Sequence, residues 1–136
     1  MARILIVENE FLQQAFLTNV LGAQGHSLCT AGTPEQATAV ATSQRPDVVI
    51  LDFRLANGGD GIVVAQHILA VHACALIFLT GYSSDETTAR MKALSPVAII
   101  EKPCHPDLIV EAVVLAVKRI SAGQIKEGPP ATEAAL

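Results

Sequence analysis

Glu8, Asn9, Asp52, Thr80 and Lys102 lie far apart in the chain, yet each stands at or just beyond the end of a short apolar run. The runs are Ile4–Val7, Val48–Leu51, Leu76–Leu79 and Val97–Ile100. Asp52 offers a carboxylate nucleophile. Glu8, Asn9 and Asp52 supply hard oxygen atoms suited to Mg²⁺, a cation that takes few protein ligands and keeps several waters. The Thr80 hydroxyl can donate to a phosphoryl oxygen, and Lys102 brings a compact positive charge. Positive charge around a transferring phosphoryl group is the main aid to its transfer, so the set is suited to receiving that group on Asp52. Taken singly, each residue has a plainer reading. A strand-end Asp caps a helix or forms a turn, Thr-Gly is a turn, and a Lys before Pro is solvated surface. Their joint occurrence at four run ends is what favours function.

These groups can meet only if the runs are neighbouring strands of one parallel sheet. Four runs are continuous and rich in Val and Ile, as strands buried on both faces are, and Ser27–Ala31 adds a fifth. Parallel neighbours need a helical crossover between them, and each interval carries one. Phe11, Leu12, Ala15, Phe16 and Leu21 mark the apolar face of the first helix. Thr33-Pro34-Glu35-Gln36 opens the second, with Pro34 at the first helical position. Ile62, Ala65, Ile68 and Leu69 stripe the third, Ser83 and Glu86 form a capping box for the fourth, and Pro106-Asp107 starts a fifth that runs towards Arg119. The expected fold is α/β: a (βα)5 doubly wound parallel sheet with helices on both faces. In the common strand order 2-1-3-4-5, strands 1, 3, 4 and 5 are consecutive, and ligands bind beyond their carboxyl ends. The domain is expected to span residues 1–122. Residues 123–136, with Gly128-Pro129-Pro130-Ala131-Thr132 and no periodicity, are expected to form a disordered tail.

Composition narrows the class further. No apolar run reaches the ~18 residues of a membrane span, and the run at Ile4 is too brief for a signal peptide, so a cytoplasmic protein without membrane contact is expected. The formal charge is −4 with scattered Lys and Arg, which argues against nucleic-acid binding. Cys29, Cys74 and Cys104 lack metal-type spacing, and their odd number argues against a disulfide framework. Gly58-Gly59-Asp60-Gly61 has no Gly-Lys-Ser/Thr and reads as a turn before the third helix rather than a phosphate loop. His67 and His72, five apart, do not share a helical face.

With these residues set out, the chain resembles the response-regulator receiver family of two-component signalling over about residues 2–120. The likeness rests on Ile4-Leu5-Ile6-Val7-Glu8-Asn9-Glu10, Pro46-Asp47-Val48-Val49-Ile50-Leu51-Asp52, Gly59-Asp60-Gly61, Thr80-Gly81 and Lys102-Pro103. The resemblance implies a flavodoxin-like sheet, Asp52 as phosphoacceptor, Glu8 and Asn9 at the acidic-pair positions, Thr80 as switch hydroxyl and Lys102 as the family lysine. It also implies that the backbone carbonyl of Arg54 joins the Mg²⁺ ligands, and that the phosphoryl donor is the phosphohistidine of a histidine kinase or phosphotransfer protein. Such a domain assists its own phosphorylation and dephosphorylation but is not an enzyme in the ordinary sense. No output domain fits in the tail, so a stand-alone response regulator signalling to a downstream protein partner is expected. The alternative is a pseudo-receiver that binds a partner without phosphorylation.

Two positions depart from the family pattern. Asn9 stands where the second acid is usual, which predicts weakly bound Mg²⁺. Ile99 stands where an aromatic switch residue is common, while Phe78-Leu79-Thr80-Gly81-Tyr82 is similar to a variant Phe-Ala-Thr-Gly-Tyr motif. That makes Tyr82, the chain's one tyrosine, the expected switch partner of Thr80. The fourth helix, with only Ala89, Met91, Ala93 and Leu94 as apolar anchors, is then the moving part. In the fifth helix, Leu108 to Val117 leaves almost no polar face, which predicts a partner surface or a homodimer through that helix.

Overall fold

The computed structural model describes residues 1–55, 59–81 and 84–125. In chain order the elements are β1 (Arg3–Val7), α1 (Phe11–Gly22), β2 (Ser27–Ala31), α2 (Pro34–Gln44), β3 (Val48–Asp52), β4 (Arg54–Leu55) and β5 (Gly59–Asp60). They continue with α3 (Gly61–Val71), β6 (Ala75–Thr80), α4 (Asp85–Lys92), β7 (Ala98–Glu101) and α5 (Pro106–Ser121). Five strands form a parallel sheet in the order β2-β1-β3-β6-β7. Counted within that sheet, this is the expected order 2-1-3-4-5. A second, two-stranded antiparallel pairing of β4 with β5 occupies the segment read as a plain turn.

Successive side chains of a strand point to opposite faces, and the two faces are filled separately. Ile4, Ile6, Val48, Ile50 and Ile77 meet Leu17 and Leu21 of α1 and Ile109, Val113 and Ala116 of α5. Leu5, Val7, Val49, Leu51, Leu76 and Phe78 meet Ala37 and Ala41 of α2, Ile62, Ala65 and Ile68 of α3, and Met91 of α4. Every residue of β3 and β6 is buried, which is why these strands read as unbroken apolar runs. Each fully buried Leu, Ile or Phe contributes about 1.5–3 kcal/mol relative to exposure, so the central strands anchor both layers. Ile125, beyond α5, packs partly buried on the α1–α5 side. Most of the segment expected to be a tail, 126–136, lies outside the described residues.

The helix signals held in part. Thr33 caps α2 by accepting from the Gln36 backbone N–H, with Pro34 at the first position. At α4 the expected Ser83–Glu86 box is corrected. Ser84 is the cap and accepts from the Thr87 N–H at 3.1 Å; α4 begins at Asp85, so Glu86 falls one position short of the box. Ser83 itself lies outside the described residues. The face assigned to α1 is corrected in part: Leu21 is buried as expected, but the aromatic residues and Leu12 are not. Leu17 and Leu21 are its buried residues, while Phe11 and Leu12 are 77% and 72% exposed and Phe16 is exposed as well. Leu17 and Leu21 meet the sheet, while half-buried Gln14 donates from Nε2 to the Glu8 carbonyl and Thr18 Oγ1 donates to the Gln14 carbonyl one turn back in the same helix. Polar groups bonded to backbone occupy positions that a hydrophobicity count assigns to the surface.

Gly61 fixes how α3 meets the sheet. Its N–H donates to the Phe53 carbonyl at 2.7 Å, and a Cβ there would overlap the Asp52 carbonyl oxygen and crowd Phe53 Cα. Overpacking of this kind against backbone costs about 1–3 kcal/mol. Urea unfolding of Gly61→Ala should show a loss of that size. Gly22→Ala, where an added Cβ meets nothing within 4 Å, should be neutral or stabilising.

Candidate functional site

Parallel register decides which strand ends come together. Val7 is level with Leu51, Asp52 with Leu79, and Thr80 with Glu101. Glu8, Asp52, Thr80 and Lys102 therefore all lie at the carboxyl rim of the four adjoining strands. Asp52 ends β3 and is 8% exposed; Glu8 and Thr80 are also buried. Backbone bonds lock the rim, with the Phe53 N–H donating to the Leu79 carbonyl and the Lys102 N–H to the Thr80 carbonyl, at 2.9 and 2.8 Å. Lys102 then precedes Pro103 across a cis peptide bond.

The central contact is an ion pair. Lys102 Nζ donates to Asp52 Oδ2 at 2.6 Å. The Arg54 N–H donates to the other carboxylate oxygen, Oδ1, at 3.2 Å. Partial burial works against the Lys102 ammonium, but its bond with Asp52 and the charges of Asp52, Glu8 and Glu10 outweigh that and raise its pKa. A pocket of about 300 Å³ opens over the pair, lined by Asp52, Phe53, Arg54, Thr80, Gly81 and Lys102.

Glu8 stands beside this pair in a less settled state. Its Oε1 accepts from the Glu10 N–H at 3.0 Å, whereas its buried Oε2 has no partner among the described residues. Burial, followed by the neighbouring Asp52 charge, pushes its carboxyl up to about 7, against the pull of the Glu10 N–H and Lys102. A buried carboxylate oxygen without a partner is costly, and either a proton or a cation would satisfy it. Asn9 and Glu10 follow on the exposed side. Among the described residues no cluster of three or more His, Cys, Asp or Glu forms a metal cage. The available donors are instead a few oxygen atoms of the kind Mg²⁺ takes alongside water.

Sequence reasoning treated Asp60 only as part of a turn. Its Oδ1 caps α3 by accepting from the Ile62 N–H at 2.7 Å, and its Oδ2 accepts from Arg90 of α4 at 3.0 Å. The cap was readable from an Asp just ahead of the apolar stripe of α3; the reach of Arg90 across from α4 was not. The exposure of Phe11, Leu12 and Phe16 beside the rim also went unforeseen. Tyr82, expected to work with Thr80, lies outside the described residues.

Comparison with known proteins fits this geometry. Residues 4–114 match the response regulator receiver domain, and the chain belongs to that family, a module of two-component signalling. It is 30% identical over 131 residues to the transcriptional regulatory protein PdtaR of Mycobacterium tuberculosis, covering 96% of this chain and 63% of that protein. It is also 29% identical over 112 residues to sporulation initiation phosphotransferase F of Bacillus subtilis, covering 82% of this chain and 90% of the other. Among solved structures, the signal receiver domain of a modulated diguanylate cyclase from Desulfovibrio desulfuricans superimposes with a TM-score of 0.80 at 26% identity. That match covers 90% of this chain and 98% of the other. No helix among the described residues is long and apolar enough to cross a membrane.

The state of Glu8 generates a pH prediction for the metal-free protein. Its folded pKa lies above its ordinary value of 4.5, at about 7, so the folded state holds the proton more tightly than the unfolded chain. Its contribution to stability is therefore largest at low pH and declines as pH rises from about 4.5 to about 7. Unfolding in EDTA at a series of pH values should show that decline as a difference between the native protein and Glu8→Gln, in which it is absent.

Proposed function

We propose that Asp52 accepts a phosphoryl group from the phosphohistidine of a histidine kinase or phosphotransfer protein, and that the domain signals through contacts that depend on this event. The observation that carries the reading is the 2.6 Å pair between Asp52 and Lys102 at the base of an open pocket. A nearly buried carboxylate is held there beside a cation that can neutralise the incoming group, with Thr80 on the neighbouring strand. Glu8, Asn9, Asp52 and the Arg54 carbonyl would hold Mg²⁺, which supplies positive charge to the phosphoryl oxygens. The unpartnered Glu8 oxygen supports a cation on this rim. The site assists phosphorylation and dephosphorylation of its own Asp52 and performs no other turnover. A cytoplasmic location goes with this reading.

The phosphodonor needs a surface next to the pocket. Exposed Phe16 of α1 lines, with Glu10 and Gln13, a groove of about 500 Å³ that reaches Lys102, Pro103 and Cys104, and it gives a partner an apolar landing next to Lys102. The exposed side of α5 offers a second surface, suited to a downstream protein. Acetyl phosphate with Mg²⁺ should add one acid-stable, base-labile phosphoryl group, seen by intact mass, and Asp52→Asn should abolish it. An unchanged mass in the native protein would favour the second reading, a receiver that binds without phosphorylation, for which Asn9 is the specific motive.

Asn9 also sets the metal affinity. Divalent affinity follows the number of charged ligands, and an added carboxylate would repel Glu8 and Asp52 when the metal is absent. Asn9→Asp should therefore tighten Mg²⁺ binding in a titration and lower metal-free stability; equal affinities would refute this.

We assign the switch to Tyr82 and α4. In α4 only Met91 is buried, and few buried contacts make local opening cheap. Amides of residues 82–95 should exchange fast before phosphorylation and slowly after it. Tyr82→Ala should weaken that difference while leaving phosphorylation of Asp52 intact.

A further inference from the structure

Glu8 is held on three sides and left open on one. Its N–H donates to the Ala31 carbonyl of β2, and its Oε1 accepts from the Glu10 N–H, each at 3.0 Å. Its carbonyl accepts from Gln14 Nε2 of α1, also at 3.0 Å. The remaining atom is Oε2, buried and without a partner among the described residues.

Gln14 grips this turn twice. Its own N–H donates to the Glu10 carbonyl at 2.9 Å, while its side chain reaches back past Asn9 to the Glu8 carbonyl. Together with the bond from the Glu10 N–H to Glu8 Oε1, these contacts close a ring around Glu8, Asn9 and Glu10. The helix offers no side-chain cap at this end: Glu10 occupies the N-cap position and makes no cap bond. The reach of Gln14 therefore sets how the chain passes from β1 into α1. Its amide is also the suitable donor for this place. It satisfies a backbone carbonyl without bringing charge to the rim, where a Lys or Arg would repel a divalent cation. With Asn9 uncharged and Asp52 already bonded to Lys102, the placing of the free Glu8 oxygen carries unusual weight.

We propose that Gln14 is a positioning residue of the Mg²⁺ site, fixing the Glu8–Asn9–Glu10 turn so that Glu8 Oε2 is presented to the cation before the cation binds. The inference rests on the reading of this rim as a Mg²⁺ site. Gln14 acts through Glu8 and touches neither the cation nor the phosphoryl group.

The test is calorimetric titration of Mg²⁺ into the full chain, comparing the native protein with Gln14→Met and Thr18→Val. Methionine keeps the length of the side chain and suits a helix but cannot donate. Thr18→Val removes a bond in the same helix that does not reach Glu8. Circular dichroism checks that each variant is folded, and Gln14→Ala replaces the methionine variant if that one is not. Gln14→Met should bind Mg²⁺ about tenfold more weakly, the low end for a group that orients a metal ligand. Thr18→Val should stay within about twofold of the native protein. With acetyl phosphate, Gln14→Met should need about tenfold more Mg²⁺ for half-maximal phosphorylation of Asp52, yet keep the native rate once Mg²⁺ is saturating. General loosening of the fold would not give that split. In EDTA, the Glu10 amide should exchange about tenfold faster in Gln14→Met while the amides of β1 keep their protection. Equal Mg²⁺ affinity in the native protein and Gln14→Met would overturn the proposal and leave the metal site standing. So would an equal loss in Thr18→Val, or an unchanged Glu10 amide. A native protein that binds no Mg²⁺ would overturn the metal site and this proposal with it.

Discussion

Asp52 is a charged group at the end of a strand that is apolar along its length and buried on both faces. Such a group is tolerated only where another charge or several donors meet it, and here Lys102 and the Arg54 N–H do so. The pairing spans 50 residues of chain. It exists because β3, β6 and β7 lie side by side in parallel register, so their carboxyl ends reach one level. Movement of any of these strands by one residue would turn its side chains to the opposite face and separate the carboxylate from its partner. The site and the sheet therefore hold each other in place.

Around this centre, attachment is uneven. α1 and α5 on one face, and α2 and α3 on the other, each bury at least two side chains in the core. α4 buries Met91 alone and adds the Arg90–Asp60 pair, whose side chains are both partly exposed. Exposed pairs contribute little to stability, about 0–1 kcal/mol, so α4 is the lightest-held helix beside the pocket. Asp60 links it to the first turn of α3, and Gly61 seats that turn on the backbone of Asp52. Asp52 is thus connected to α4 through Gly61, Asp60 and Arg90, the route the proposed switch would use.

Glu8 shows the other cost of gathering acids on one rim. With Asp52 paired to Lys102, Glu8 is left with a buried oxygen that nothing in the described chain satisfies. Asn9 in place of a third acid lessens the mutual repulsion of the rim and, in the proposed Mg²⁺ site, removes a charged ligand at the same time. In that proposed site, stability without the cation and affinity for it are set against each other by this single position.

Strand identity, the doubly wound fold and the residues of the rim could be read from the chain itself, because a strand buried on both faces leaves an unbroken apolar run and the polar side chain that ends it is conspicuous. Thr33 and Pro34 likewise announced α2, since capping is a local matter. What needed the tertiary structure was whatever depends on which side of a helix meets the sheet. Phe11, Leu12 and Phe16 form a periodic apolar set, yet they are exposed because α1 is rotated so that Leu17 and Leu21 enter the core. Ser84 rather than Ser83 caps α4, a shift of one residue that composition cannot resolve. The Arg90–Asp60 pair, the seat of Gly61 on Asp52 and the unpartnered oxygen of Glu8 are distances across the fold. The chain determined which chemical groups were available and roughly where each strand ends; only packing decided which of them touch, because contact depends on register and helix rotation, and neither is written in local sequence.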